Sequence, residues 1–284
     1  MEFHLVDVFS PMPYSGNSLA VFPDARGLTA EQMLRVTQEL RHFEAIFLSP
    51  TDRPNRDTAR IFDLFEELPF AGHPVIGAAA VLHRLSGLTG DQTWQFDLAV
   101  KTVTVATHHQ DAGTYGLLDQ GQADCLGEIA ISAPLLAALN LSLDDLDPHL
   151  PPETISTGLE YLIVPVKRGR LAAARITTDL TPLLAGTGAR FAVLFDAAGH
   201  EVRHWNNDGV LEDVATGSAA GTIGAYSLKH GLCNSGDSFI LNQGQYTGRP
   251  SRITVSPRHT ATAIAVSVGG DVSFVGRGHL DVLP

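Results

Sequence analysis

The hydrophobic pattern alternates strands with a few helices. FHLVDVF and SLAVF read as the first two strands. AEQMLRVTQEL sets Met33, Leu34, Val36 and Leu40 on one helical face, and Thr29 stands before it as an N-cap. EAIFLSP and TARIFDLF return to strand. PVIGAAAVLHRL predicts a helix with Pro74 in its first turn, where a missing N–H costs nothing. Its Ala and Gly content predicts close packing on all sides. WQFDLAV, KTVTVATH and TYGLLD are strands again.

The segment at 120–132 reads as a crossing between domains, followed by a helix over Ala133 to Leu139. ISTGLEYLIVPV predicts a turn and a strong strand, and TTDLTPLLAG a short capped helix, with the glycines at 186 and 188 ending it. RFAVLFDAA and EVRHWNN predict paired strands about a turn at Ala198–Gly199. SAAGTIGAYSLKHGL predicts a helix of small residues with Gly231 just past its end. The last fifty residues divide into four strands, SFILNQG, SRITVSP, TAIAVSVGG and VSFVGRGHLDVL.

The two halves share a skeleton. ELPFAGHPVIG and EDVATGSAAGT each run Glu, four residues, Gly, a polar residue and an Ala/Gly-rich helix, and Glu67 and Glu212 lie 145 positions apart. The recurrence predicts an internal duplication. The fold class expected is α+β, in two domains: 1–125, joined by the last strand at about 272–284, and 126–271.

Composition narrows the functions open to such a chain. It has 284 residues, 44% of them hydrophobic, enough for two cores. Its formal net charge is −12, with no basic run, which argues against nucleic acid or an anionic membrane as partner. No apolar run reaches membrane-spanning length, and MEFHLVDVF lacks the basic start of a secretory signal. Two cysteines, Cys125 and Cys233, fit no zinc or redox spacing, and a reducing, cytoplasmic setting is expected. No lysine follows a glycine, so a phosphate-binding GxxxxGK loop is absent, and the three lysines stand in no context that suggests an aldimine cofactor. His108 and His109 are adjacent in a strand, and His200 and His204 lie four apart in a strand-like segment. All four read as surface histidines, and no metal site is expected.

A strand-to-helix turn of glycine and a small polar residue presents backbone N–H groups at a helix start, which attract a carboxylate. The chemistry expected is proton transfer on a small acid. Glu44 is the one acid in an apolar strand. It reads either as a partly desolvated acid with a raised pKa or as an outward-facing residue of an edge strand. His73 reads as a polarising imidazole, neutral at the positive end of a helix, or as a core histidine bonded to backbone. Asp213 reads as an acid–base group or as a cap for the helix near Thr216. Ser218 is a helix-start residue rather than a nucleophile, since no G-x-S-x-G elbow surrounds it.

These residues carry a resemblance. VDVFSPMPYSGNSLAVF, EAIFL, ARIFDLFEELPFAGHPVIGAAAVL, STGLEYLIVPV, EDVATGSAAG and NQGQYTGRPSRI occur in the order and spacing of the PhzF-like phenazine-biosynthesis proteins, a branch of the diaminopimelate-epimerase-like fold. The resemblance implies two pseudo-duplicated domains, each a mixed β-sheet or barrel wrapped around a central helix, with the active site in the interdomain cleft. It implies an isomerase that needs no cofactor, acts on a small carboxylated substrate and forms a homodimer. In the best-understood member, the glutamate matching Glu44 moves a proton on a dihydro-hydroxyanthranilic acid. The positions of His73 and Asp213 assist it, and Gly72, Gly217, Ser218 and Asn17 match substrate-binding positions. Racemases of this fold carry a cysteine at the start of each central helix. Those positions here are Ala71 and Thr216, and alanine cannot carry a proton. Phe43, Val214 and residues 204–208 depart from the family pattern beside the expected pocket and bear on substrate identity. The same fold leaves two other readings: an epimerase working with carboxylate and histidine, and a non-catalytic binder of small acids.

Overall fold

The computed structural model describes residues 1–110 and 113–284. Among the described residues, fifteen strands and five α-helices follow in chain order: β1 Glu2–Val8, β2 Asn17–Phe22, α1 Ala30–Leu40, β3 Glu44–Pro50, β4 Arg56–Asp63, β5 Glu67–Leu68, α2 Gly72–Ser86, β6 Gln92–Asp97, β7 Thr102–Gln110, β8 Gly113–Glu128, α3 Ala133–Ala138, β9 Glu153–Ser156, β10 Glu160–Pro165, α4 Thr181–Leu184, β11 Phe191–Asp196, β12 Glu201–His204, α5 Gly217–Lys229, β13 Phe239–Gln243, β14 Ser251–His259 and β15 Ile264–His279. The chain divides into two compact units, Met1–Asp119 with Gly269–Pro284, and Gln120–Val268.

The first unit orders its strands β15-β1-β2-β3-β4-β6-β7-β8, and pairings of β3 with β4 and of β15 with β8 close the ring. β2 and β3 are parallel, as are β4 and β6, and α2 lies in the chain between the latter two. The second unit repeats the order with β9, β10, β11, β12, β13 and β14. Here β10 and β11 are parallel, as are β12 and β13, and α5 lies between the latter two. α2 packs on β1, β2, β3, β6 and β7, and α5 on β9, β10 and β14. Each unit is thus a sheet wrapped around one helix of small residues, the α+β fold that the sequence pattern and the resemblance predict.

The small residues let strand and helix close up. A Cβ on Gly77 would meet the side chain of Leu19 on β2, and one on Gly224 would lie 2.5 Å from Val255 on β14. The strands next to α2 are buried on both faces. Ala20, Phe22, Ala45, Phe47 and Phe62 form a cluster with Met33 and Val36 of α1, where Phe22 and Phe47 stack at 4.5 Å. The alternate residues, Leu19 and Ile46 among them, are fully buried on the other face, toward α2. This is why SLAVF and EAIFL read as continuous apolar runs. In the second unit Leu135, Leu162, Leu180, Leu194 and Trp205 fill the corresponding layer under α3 and α4.

The expected elements shift in three places. Residues 113–128 form the single strand β8, which takes in most of the segment read as a crossing. β15 is likewise one strand where two were expected, although Gly269 and Gly270 interrupt its pattern. Gly269 is there for close approach, not for a turn: a Cβ would lie 2.5 Å from the carbonyl of Gly116. β4 stops at Asp63, whose carboxylate accepts the N–H groups of Phe65 and Glu66 and ends the strand in a turn. Thr29 caps α1 in a full capping box with Gln32, and Gly231 takes φ +71° just past α5. Among the described residues no helix is long and apolar enough to cross a membrane.

Candidate active site

Glu44 opens β3, and register places it opposite Leu19 on β2 and Asp63 on β4. Neighbours on both sides make β3 an interior strand, and strand alternation turns Glu44 away from Ala45 and Phe47 to the face that packs on α2. The edge-strand reading is therefore wrong: Glu44 is only 7% exposed. α2 begins at Gly72. Ala71 before it is extended, with φ −146° and ψ 142°, and no side chain caps the helix. Its second residue, His73, is buried, and its Nε2 lies 3.7 Å from Oε2 of Glu44. The other ring nitrogen, Nδ1, lies 3.5 Å from the amide Nδ2 of Asn17, the buried first residue of β2. An amide nitrogen donates, so Nδ1 accepts and a neutral ring carries its proton on Nε2, toward the carboxylate. Asn17, Glu44, Gly72 and His73 thus come together in the first unit.

The second unit holds Asp213, Gly217 and Ser218 at the start of α5. The N-cap position of α5 is held by Thr216, three residues after Asp213. The Asp213 carboxylate accepts the N–H of Ala215 at 3.2 Å and the hydroxyl of Thr216 at 2.6 Å, which folds the approach. Gln243 on β13 completes it: its Oε1 accepts the Thr216 N–H at 2.9 Å and its Nε2 donates to the Asp213 carbonyl at 2.8 Å. Gln120 donates to the carbonyl of Gly217 at 2.8 Å, and Tyr161 shares a 2.8 Å hydroxyl–hydroxyl bond with Ser218. A side chain on Gly221 would collide with the Gln120 amide, so the helix needs glycine where this bond crosses it. None of Gln120, Tyr161 and Gln243 is among the site residues that the sequence predicts. Gln243 lay in the NQGQYTGRPSRI stretch and could have been found there.

His204 corrects another expectation. It is buried, not a surface residue, and its Nδ1–H donates to the Ala192 carbonyl at 2.9 Å. Burial pushes its pKa below the usual histidine range, while Asp213 and the Ala192 carbonyl act in the opposite sense. Among the described residues no group of three or more His, Cys, Asp or Glu side chains is placed to hold a metal ion. Cys125 is exposed in β8 and Cys233 lies past the end of α5. Burial holds the Cys233 thiol above the ordinary range, and neither cysteine is at a helix start.

The duplicated glutamates have the same partner in both units. Glu67 pairs bidentately with Arg60 of β4, at 2.7 and 2.5 Å. Glu212 pairs bidentately with Arg203 of β12, at 2.8 and 2.6 Å. Each guanidinium also lies over the aromatic ring two residues on, Phe62 or Trp205. The shared Glu is therefore an anchor that ties each approach segment to the strand before it.

The model of the family described as phenazine biosynthesis-like protein matches residues 6–278. A trans-2,3-dihydro-3-hydroxyanthranilate isomerase of Pseudomonas aeruginosa is 30% identical, with 98% of this chain and 99% of the relative covered. Among solved structures, a predicted epimerase of Pseudomonas aeruginosa superposes with a TM-score of 0.91 at 44% identity, covering 99% of each chain. A probable proline racemase of Agrobacterium radiobacter shares the fold, with a TM-score of 0.65 at 15% identity over 99% of this chain and 93% of its own.

Proposed function

Since the chain belongs to the phenazine biosynthesis-like family and is an isomerase of that kind, we propose that it shifts a proton on a small carboxylated, unsaturated substrate with Glu44 as the acid–base group. The observation that carries this reading is the buried Glu44–His73 contact beside the uncapped start of α2. Glu44 is buried at the start of an interior strand and supplies the carboxylate for general acid–base catalysis from a site shielded from water. His73, second in α2, turns Nε2 toward that carboxylate and holds Nδ1 on Asn17, so it orients Glu44 and polarises the substrate. The start of α2, which no side chain caps, offers a seat for the substrate carboxylate or for the enolate-like charge that builds as the proton leaves. Asp213, Gly217 and Ser218 take the supporting roles that the family resemblance gives them. A proton shift of this type needs acid–base groups alone and no cofactor.

An epimerase would need acid–base groups on opposite faces of one carbon. Glu44 and His73 lie side by side, which favours one base that removes and returns the proton over two that act in opposition. The test is proton exchange. Wild-type protein, given trans-2,3-dihydro-3-hydroxyanthranilate and a panel of small unsaturated acids in deuterium oxide, takes up deuterium at one carbon of its substrate by NMR. Glu44→Gln lowers turnover and exchange at least about 1,000-fold with the fold intact. Wild-type exchange by Glu44→Gln removes the glutamate from the mechanism, and formation of the mirror-image acid would make the enzyme an epimerase.

A further inference from the structure

His73 and Ser218 hold the same place in the two units, each the second residue of the buried central helix. In the first unit the His73 ring is held by Asn17, which opens β2. In the second unit β10 stands where β2 stands in the first. Each is the earlier strand of a parallel pair, and each packs on its central helix. From β10, Tyr161 reaches the Ser218 hydroxyl, with the two oxygens 2.8 Å apart. The duplication thus repeats one device: a polar group on the second helix residue, and an orienting side chain on the corresponding strand.

Tyr161 is itself held still. It is fully buried, and its ring lies 5.7 Å from that of Phe191 and 5.4 Å, edge-on, from that of His204. A ring packed in this way keeps one rotamer, so its phenolic oxygen is a fixed point. The backbone that carries Ser218 is fixed as well, by Gln243 on the Thr216 N–H and Gln120 on the Gly217 carbonyl. What is left to set is the Ser218 side chain, which can turn among staggered rotamers. Among the described residues, Tyr161 is the side chain that bonds its hydroxyl. A serine hydroxyl has one O–H and two lone pairs, and the bond to Tyr161 uses one of these, whichever oxygen donates. The remaining capacity is open to a ligand.

We propose that Tyr161 is a positioning residue of the isomerase, which fixes the Ser218 hydroxyl in the rotamer that meets the substrate. This rests on the acid-isomerase reading above, in which Ser218 contacts the substrate. A hydroxyl fixed in advance loses no rotamer freedom as charge builds on the substrate, so the benefit falls on the transition state more than on binding.

A double-mutant cycle on the full chain tests this, with Tyr161→Phe, Ser218→Ala and the two together. It is read by turnover of the acids named above, trans-2,3-dihydro-3-hydroxyanthranilate first. Phenylalanine keeps the ring against Phe191 and His204, and urea denaturation checks that each variant folds. Tyr161→Phe is expected to lower kcat about tenfold with KM little changed, the effect of one hydrogen bond made in the transition state. In the Ser218→Ala background the same change is expected to have no further effect on kcat. Wild-type kcat in Tyr161→Phe overturns the proposal. So does an undiminished loss once the serine is gone, because the tyrosine would then act by another route. A wild type inert toward all of these acids would instead overturn the acid-isomerase reading itself, and this inference with it.

Discussion

Around Glu44 the neighbours Phe43, Ala45, Ile46 and Phe47 are compatible with two environments, and only the layer packed on each face of β3 separates them. α1 covers Ala45 and Phe47, so the glutamate is left on the α2 side with His73. His204 shows the same dependence in the second unit. Four-residue spacing in a strand carries no signal for burial, yet Tyr161 and Phe191 pack edge-on against its ring. Its lowered pKa has a consequence for stability. The folded state binds fewer protons than the unfolded one between the unfolded value of about 6.5 and the lower folded value. Its contribution is therefore fully present above that unfolded value and is lost as pH falls through the window. Urea titrations from pH 7.5 to 5 should show stability falling with pH in wild type. His204→Asn should be less stable at pH 7.5, having lost the bond to Ala192, but should show a flatter slope. An unchanged slope would show that other groups carry the acid sensitivity.

At the scale of elements, α2 and α5 are set by side chains that are missing. Both helices are buried almost throughout, and glycine is the residue of contact with the strands. Alanine is the better helix former by about 1 kcal/mol, so propensity alone favours Gly77→Ala. Packing opposes it, because the new methyl meets Leu19 and lies 3.1 Å from Val8 and 3.3 Å from Val6. Overpacking costs about 1–3 kcal/mol, so the expected result is a net loss of stability, read as a lower denaturation midpoint with the slope unchanged. A rise in midpoint would mean that β2 moves freely from the helix. The helix composition alone predicted close packing. It did not say that Leu19 would be the residue met.

Over the whole molecule, the duplication extends beyond the two short turns that first suggested it. Strand order, the two parallel pairings and the Arg–Glu anchor recur in both units, but the anchors differ in burial. The side chains of Arg203 and Glu212 are 9% and 13% exposed, whereas those of Arg60 and Glu67 are 33% and 34% exposed. Glu212→Ala leaves a buried guanidinium without its partner and should cost about 3–5 kcal/mol. Glu67→Ala should cost under about 1 kcal/mol, since water screens the pair. Equal costs in chemical denaturation would mean that the pairs do not differ in desolvation.

The sequence by itself determined the alternation of strands and small-residue helices, the recurrence of the Glu and Gly turns, and the order of motifs that marks the family. These are local patterns, set by side-chain period, backbone freedom at glycine and the identity of neighbours. Tertiary structure alone decided which face of β3 carries Glu44, that Gln243 and Asp213 fold the approach to α5, that His204 is buried, and that Tyr161 meets Ser218. Each of these joins residues distant in the chain, through strand register and the layers that cover each sheet face. A one-residue change of register would turn every such side chain to the other face.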